Sequence, residues 1–416
     1  MHEHIGERRC VLCQELHAPD ANYVERVLKK SRQPQLIGED IAESLGFCER
    51  HGSRILATES LEVDRLIIED AVSRVMGLLQ EGRRRDNTFQ HIFFSANRSC
   101  PECDYEKRVT STHVQRLAKA ISIDLSDGRL EGLCVRHFQV VDRHLKLEVR
   151  LPVYDKYLTA LALSQSSLGE EKPGHAWHAF LRVAGSSEFS VCRDPKIDVE
   201  AVDQSLSQRL ADGERCFVCE EMKKAHRRWF SNARRAAHFA DDAWLLLPTC
   251  PTHLWDMAHG NDITVMQAST RHALQAWIES FRHYANTLER EAEAREALQA
   301  LREKYHGNPP RSKRDEASEP PLPRQKPVPC VACDRLEMAE VSIVAKLLDQ
   351  LDARAHREAY AEGYGLCMKH FAHIYLVAPS GVIRSSLAKI QRSRLAEEIS
   401  APDPKAVVLQ RFCGFH

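Results

Sequence analysis

Apolar residues recur every three or four positions along much of this chain, which is the spacing of one face of an α-helix. In one stretch the pattern runs through Val109, Val114, Leu117 and Ile121, and Gly128 breaks it. A broader apolar stripe lies near the C-terminus and consists of Met338, Val341, Ile343, Val344, Leu347, Leu348 and Leu351. Strand-like alternation of apolar and polar residues is sparse. The sequence therefore predicts an all-α protein.

Two further segments carry a helical pattern. Residues 61–80 are strongly amphipathic, and a longer pattern from Met266 to Leu288 continues into the Ala-, Glu- and Arg-rich stretch 289–304. This predicts one long helix whose end extends beyond its domain. Such an end is either solvated or pairs with a partner or a sister chain.

Cysteine pairs repeat along these helices. Each CxxC is followed by a CxxH after 34, 30, 30 and 33 residues. The four quartets are Cys10, Cys13, Cys48 and His51; Cys100, Cys103, Cys134 and His137; Cys216, Cys219, Cys250 and His253; and Cys330, Cys333, Cys367 and His370. Twelve of the 14 cysteines belong to this scheme. We interpret it as four tandem helical modules, each pinned by a Cys3His site of the form CxxC-x30–34-CxxH.

Three thiolates and one imidazole form a complete tetrahedral ligand set for Zn²⁺. Because four protein ligands leave no position for water or substrate, the spacing predicts four structural zinc sites rather than catalytic ones. Iron–sulfur ligation is the alternative, since clusters also accept thiolate and imidazole ligands. Pro follows the first Cys in CPEC and CPTH, and Pro is favoured at the first helical position, so we expect the CxxH pair of each module to open a helix.

The spacing of the quartets gives a domain organisation. Residues 305–329 hold seven of the 18 prolines and no apolar periodicity, which predicts an extended tether. The predicted segments are zinc module 1 (1–85), zinc module 2 (86–165), a linker with an inserted element (166–211), zinc module 3 with its long C-terminal helix (212–304), a Pro-rich linker (305–329) and zinc module 4 (330–416).

Composition narrows the class of protein. The chain has 416 residues and a formal net charge of −1, which lowers the expectation of a dedicated nucleic-acid binder. It has no long apolar run and no apolar core of a secretory signal near its N-terminus. We therefore expect a cytoplasmic protein without a membrane partner, in which paired cysteines bind metal rather than form disulfides.

Some residues lie outside the repeat. Cys192 is interpreted as a buried structural cysteine, with a reactive thiol as the alternative. The last residues contain Cys413 and His416, a fifth CxxH without a CxxC, which is either accidental or completed by another chain. Residues 223–238 contain six Lys or Arg and two aromatic residues. They are interpreted as the solvated face of a helix, or as a phosphate-binding surface with aromatic residues that stack on bases.

The stretches CVLCQE and GFCERH, with CPECDYEK and GLCVRHF, resemble an uncharacterised bacterial domain-of-unknown-function family of helical proteins. The resemblance covers the ligand pairs and part of the helix between them. It implies a helical fold and the same metal quartets, and it implies no reaction. The third module differs from the family pattern because LPTCPTH lacks the glycine that precedes the other CxxH pairs.

No P-loop, GxGxxG, HExxH or GxSxG motif occurs in the sequence. This does not exclude catalysis, but it favours a non-catalytic multi-zinc scaffold or adaptor that presents helical surfaces to protein partners. A nucleic-acid-binding regulator that uses the basic segment is one alternative. A thiol redox or metal-responsive switch is the other.

Overall fold

A computed structural model describes residues 10–16, 72–81, 101–126, 128–168, 173–185, 208, 210, 215–239, 246–259, 262–306, 325 and 328–400. These residues form helices and no strand, which confirms the predicted all-α class. Cys48, His51, Cys100, Cys192, Cys413 and His416 lie outside the described residues. None of the described helices combines the length and apolar character needed to cross a bilayer.

The described helices are α1 (Val11–Leu16), α2 (Val72–Glu81), α3 (Pro101–Ile123), α4 (Arg129–Gly132), α5 (Val135–Asp142), α6 (Leu147–Ser167), α7 (Pro173–Ala184), α8 (Phe217–Phe239), α9 (Pro251–His259), α10 (Ile263–His306), α11 (Val331–Gln350), α12 (Arg354–Glu362), α13 (Met368–Val377) and α14 (Gly381–Ile399). The long helix expected from Met266 onward is α10, with 44 residues. The amphipathic segment 61–80 is described from Val72, where α2 begins.

The chain divides into two compact units, and each is assembled from three separate segments. The first contains Met1–Glu15, Thr110–Ser190 and Ala233–Ala332, and the second contains Leu16–Val109, Val191–Asn232 and Cys333–His416. The domain limits expected from the spacing of the quartets stay a prediction.

The core of the first unit lies between α6, α7, α9 and α10, which pack on one another. Phe138, one residue after His137, is fully buried there. Its ring stacks on Tyr157 with 3.7 Å between centroids and meets Phe281 edge to face at 5.2 Å. Phe138 therefore anchors the helix that carries His137 in the apolar core.

A buried charged group ties α5 and α6 to α10 in the same unit. The Arg150 guanidinium lies 3.4 Å from Asp142, donates to the Leu145 carbonyl and donates to the Tyr284 hydroxyl at 3.1 Å. Burial raises the pKa of Asp142 to about 6 although the Arg150 cation opposes this shift. Three helices are thus held in one relative position.

The core of the second unit is built from α11, α13 and α14 with α2. Buried residues include Val344, Leu347, Phe371, Ile374 and Leu387. Val344 and Leu347 belong to the stripe expected on α11, whereas Met338 and Val341 of the same stripe are exposed. Only part of that broad apolar face is therefore used for packing in this unit.

Candidate metal centres

The described cysteines and histidines converge in three Cys3His groups. The first group is Cys10, Cys13, Cys134 and His137; the second is Cys216, Cys219, Cys367 and His370; the third is Cys250, His253, Cys330 and Cys333. Within each group the candidate ligand atoms all lie within 4.8 Å of one another. All twelve predicted ligands of these groups are therefore placed in metal-binding arrangements.

The pairing predicted within each module is wrong for the described groups. Cys10 and Cys13 meet Cys134 and His137 instead of the CxxH of their own module. In the second half, the CxxC of module 3 meets the CxxH of module 4, and the CxxH of module 3 meets the CxxC of module 4. The ligand type and the composition of each group are as predicted, but the partners are exchanged.

The length of α3 gives a physical reason for the exchange. Cys103 lies in the first turn of α3, and the helix continues for twenty more residues, which is about 30 Å. The return from Ile123 to Cys134 contains turns and the one-turn helix α4, so it covers less than this distance. Residues 134 and 137 consequently lie near the far end of α3, where Leu130 and Leu133 share a core with Leu117 and Ile121.

Each ligand pair in the described part of the chain stands at the start of a helix, which the sequence predicts for the CxxH pairs. Cys134 and Cys367 are the N-cap residues of α5 and α13, with extended backbone. Their carbonyls accept the first helical hydrogen bonds, from the amides of Phe138 and Phe371. The cap cysteine and the residue three positions later thus project from the same helical turn toward one point. Cys10, Cys216 and Cys250 use the same arrangement.

The first group is compact and sealed from solvent. His137 Nδ1 lies 3.3 Å from the Sγ atom of Cys10 and 3.4 Å from those of Cys13 and Cys134. The Cys13 and Cys134 Sγ atoms are 3.9 Å apart. All four side chains are buried.

The second group has nearly the same dimensions. His370 Nδ1 lies 3.5, 3.3 and 3.2 Å from the Sγ atoms of Cys216, Cys219 and Cys367. The Cys219 and Cys367 Sγ atoms are 3.7 Å apart. This group is also fully buried.

The third group is more open. His253 Nδ1 is 3.1 Å from Cys250 Sγ and 3.8 Å from Cys330 Sγ. Cys330 and His253 are buried, Cys250 is half-buried and Cys333 is exposed. Thr249, which precedes Cys250, donates a hydrogen bond to the Pro329 carbonyl, which precedes Cys330. A hydrogen bond therefore joins the two segments that precede these ligand pairs.

The electrostatics of the two sealed groups suit a bound cation. Burial opposes ionisation of Cys10, yet hydrogen bonds from Cys13, Cys134 and His137 hold the pKa of its thiol well below the ordinary value. Hydrogen bonds with Cys10 and Cys13, together with burial, raise the pKa of Cys134 well above it. In the second group, the pKa of the Cys216 thiol is likewise held well below its ordinary value, and the pKa of the Cys219 thiol is raised above it. Three thiolates buried together would need a positive charge among them, which a bound metal ion would supply.

Residues that sequence reasoning missed support the ligand loops. The Leu133 carbonyl, next to Cys134, accepts hydrogen bonds from the Tyr157 hydroxyl and from Arg182. The Leu366 carbonyl, next to Cys367, accepts one from the Gln391 amide. Tyr157 and Gln391 are both fully buried, so each clamps a buried backbone oxygen beside a ligand. No local sequence signal marks them, because they lie 24 and 25 positions from the residues that they support.

The basic segment 223–238 lies within α8. Trp229 and Phe230 are buried, at 5% and 4% exposure, so they do not present their faces to a nucleic acid. Lys224 pairs with Glu221 at 2.9 Å, and His238 and Arg234 contact Asp262 at 2.8 and 3.4 Å. Part of the positive charge is therefore neutralised within the protein.

Comparison with protein-family models, with curated proteins and with solved structures finds no match to this chain. The metal centres therefore rest on the sequence and on the geometry of the side chains.

Proposed function

We propose that the Cys3His groups bind Zn²⁺ and that these ions have a structural role. The distances between ligands support this proposal. A tetrahedral ion with Zn–S bonds of about 2.3 Å separates its sulfurs by about 3.8 Å. The Sγ pairs of the first and second groups are 3.9 and 3.7 Å apart.

The same distances favour a single ion over an iron–sulfur cluster. In a cluster the protein ligands attach to separate iron atoms, which spreads them farther apart than the edge of one tetrahedron. Four protein ligands also fill the coordination sphere, and the first two groups are sealed from solvent. This supports a role in holding helices rather than in catalysis.

Four predicted ligands remain after these assignments: Cys48, His51, Cys100 and Cys103. The first three lie outside the described residues, and Cys103 is half-buried beside the core of the second unit. In modules 3 and 4, the CxxC of each module lies with the CxxH of the other. Cys10 and Cys13 of module 1 lie with the CxxH of module 2. We therefore infer that the CxxC of module 2 binds with the CxxH of module 1, which makes a fourth site.

We further propose that the protein is a non-catalytic scaffold that offers a helical surface to a protein partner. The observation that carries this proposal is the C-terminal part of α10. Leu288 is fully buried, and no described side chain between Glu289 and His306 is buried. Leu298 and Leu301 are 57% and 51% exposed and lie one turn apart.

The charges around these leucines indicate the kind of partner. We define the α10 seam as Ala294, Leu298 and Leu301, which share one side of the helix at a spacing of four and three residues. Arg290 and Arg295 flank the seam, while Glu289 and Glu296 lie on the opposite side. Glu291 and Glu293 are the exceptions, and Glu291 pairs with Arg295 at 3.3 Å. A partner helix with apolar residues flanked by carboxylates fits this seam.

Elemental analysis of protein purified without a histidine tag, together with identification of co-purifying molecules, tests this function. We expect four zinc atoms per chain and a bound protein at a fixed ratio. Iron with visible absorbance would contradict the zinc assignment. A retained small molecule or nucleic acid in place of a protein would contradict the scaffold role.

A further inference from the structure

We propose that Glu340 is a positioning residue that orients His370 toward the metal of the second group. This inference rests on the proposed metal binding. Glu340 lies on α11, whereas His370 lies in the first turn of α13. Its Oε1 atom is 3.6 Å from Nε2 of His370, on the side of the ring away from the thiols.

The two ring nitrogens of His370 face different groups. Nδ1 of His370 faces the three Sγ atoms at 3.2–3.5 Å, so its lone pair is the one that a metal takes. A neutral imidazole then carries its proton on Nε2. The Glu340 carboxylate faces that nitrogen, which favours this tautomer and makes Nδ1 a stronger donor to the metal.

The carboxylate is itself held in place. The same Oε1 atom lies 3.3 Å from Nδ1 of His373, one turn after His370 on α13. The Glu340 side chain is 28% exposed and the His370 side chain 1%, so water screens the contact only partly. One carboxylate on α11 thus lies within ion-pair distance of two imidazoles on α13, and one of these is a proposed metal ligand.

A purely structural contact between α11 and α13 would look similar, so the test must separate the two roles. Glu340→Ala removes the acceptor, Glu340→Gln keeps an acceptor oxygen without the charge, and His373→Gln removes the structural half of the contact. Glu337→Gln, on an exposed site of the same helix, is the matched control.

The measurement is the rate at which Cys216, Cys219 and Cys367 are alkylated in the full-length, zinc-loaded protein while a chelator competes for the metal. Peptide mass spectrometry resolves each site, and Cys10, Cys13 and Cys134 serve as internal reference. We expect Glu340→Ala to weaken zinc retention at the second group by about 10- to 100-fold. Glu340→Gln should lie between this variant and wild type, and His373→Gln and Glu337→Gln should resemble wild type.

Two results would overturn the inference. One is wild-type labelling in a zinc-loaded Glu340→Ala protein. The other is a loss in His373→Gln as large as in Glu340→Ala, which would assign the effect to helix packing. Rapid labelling of the second group in the wild type would instead contradict metal binding itself, so the two failures are distinguishable.

Discussion

Gly185 brings the backbone close to the first metal group. It follows α7 with a φ of +68°, a backbone conformation that residues other than glycine rarely adopt. A Cβ atom at this position would lie 3.4 Å from Cys134 Sγ and 3.8 Å from Cys13 Sγ. The positive φ favours glycine here, whereas a Cβ atom at these distances would make ordinary van der Waals contacts with the thiols.

We expect Gly185→Ala to lower the free energy of unfolding by about 1–2 kcal/mol, because alanine is strained at positive φ. Gly132→Ala is the control, since a Cβ atom there meets nothing within 4 Å. Denaturant unfolding of the zinc-loaded proteins measures the difference. Equal stabilities of the two variants would show that the backbone at Gly185 is not constrained as described.

At the scale of elements, α10 has two parts with different environments. Its first part packs on α6, α7 and α9, and its last part carries the exposed α10 seam. An isolated helix end gains little from propensity alone, and the described part of this unit leaves Leu298 and Leu301 exposed, which is why we propose a partner helix there.

The α10 seam can be tested with synthetic helical peptides that carry leucines at heptad spacing, flanked by Glu in one peptide and by Lys in the other. The Glu-flanked peptide should bind, and its binding should weaken as salt is raised. Leu298→Ser combined with Leu301→Ser should abolish binding. Leu163→Ser, at a leucine of α6 that is even more exposed, should not weaken binding. Fluorescence anisotropy provides the measurement.

Two results would contradict the proposed partner. Equal binding of both peptides would show that the flanking charges do not select it. Concentration-dependent dimers of the wild type that disappear in the double variant would assign the seam to a second copy of this chain.

At the scale of the whole molecule, each metal group joins distant parts of the sequence. The first group connects residues up to 127 positions apart and the second up to 154. Such links close long loops, which restricts the unfolded chain more than a local site does. Metal ions bound in these groups would therefore hold together segments that are distant in sequence.

Double substitution of Cys10 and Cys13 by Ser distinguishes exchanged pairing from tandem pairing. Exchanged pairing predicts that Cys134 becomes accessible to alkylation while Cys48 stays protected. Tandem pairing predicts the reverse. Cys216→Ser with Cys219→Ser is the parallel case, in which Cys367 rather than Cys250 should become reactive. Residue-resolved mass spectrometry of zinc-loaded protein reads both outcomes.

The sequence by itself determined the helical class, the ligand types and the helix starts at which ligands stand. These properties depend on spacing over a few residues. The apolar periodicity predicts the helix α10, and a cysteine followed three positions later by a second ligand predicts a pair on one helical turn.

Only the tertiary structure decided which ligand pairs come together, because that depends on where the two ends of a helix about 30 Å long lie in the fold. It also decided which side chains support the ligands. Glu340, Tyr157, Gln391 and Gly185 reach the metal groups through packing of helices that are distant in sequence, and no spacing rule encodes such contacts.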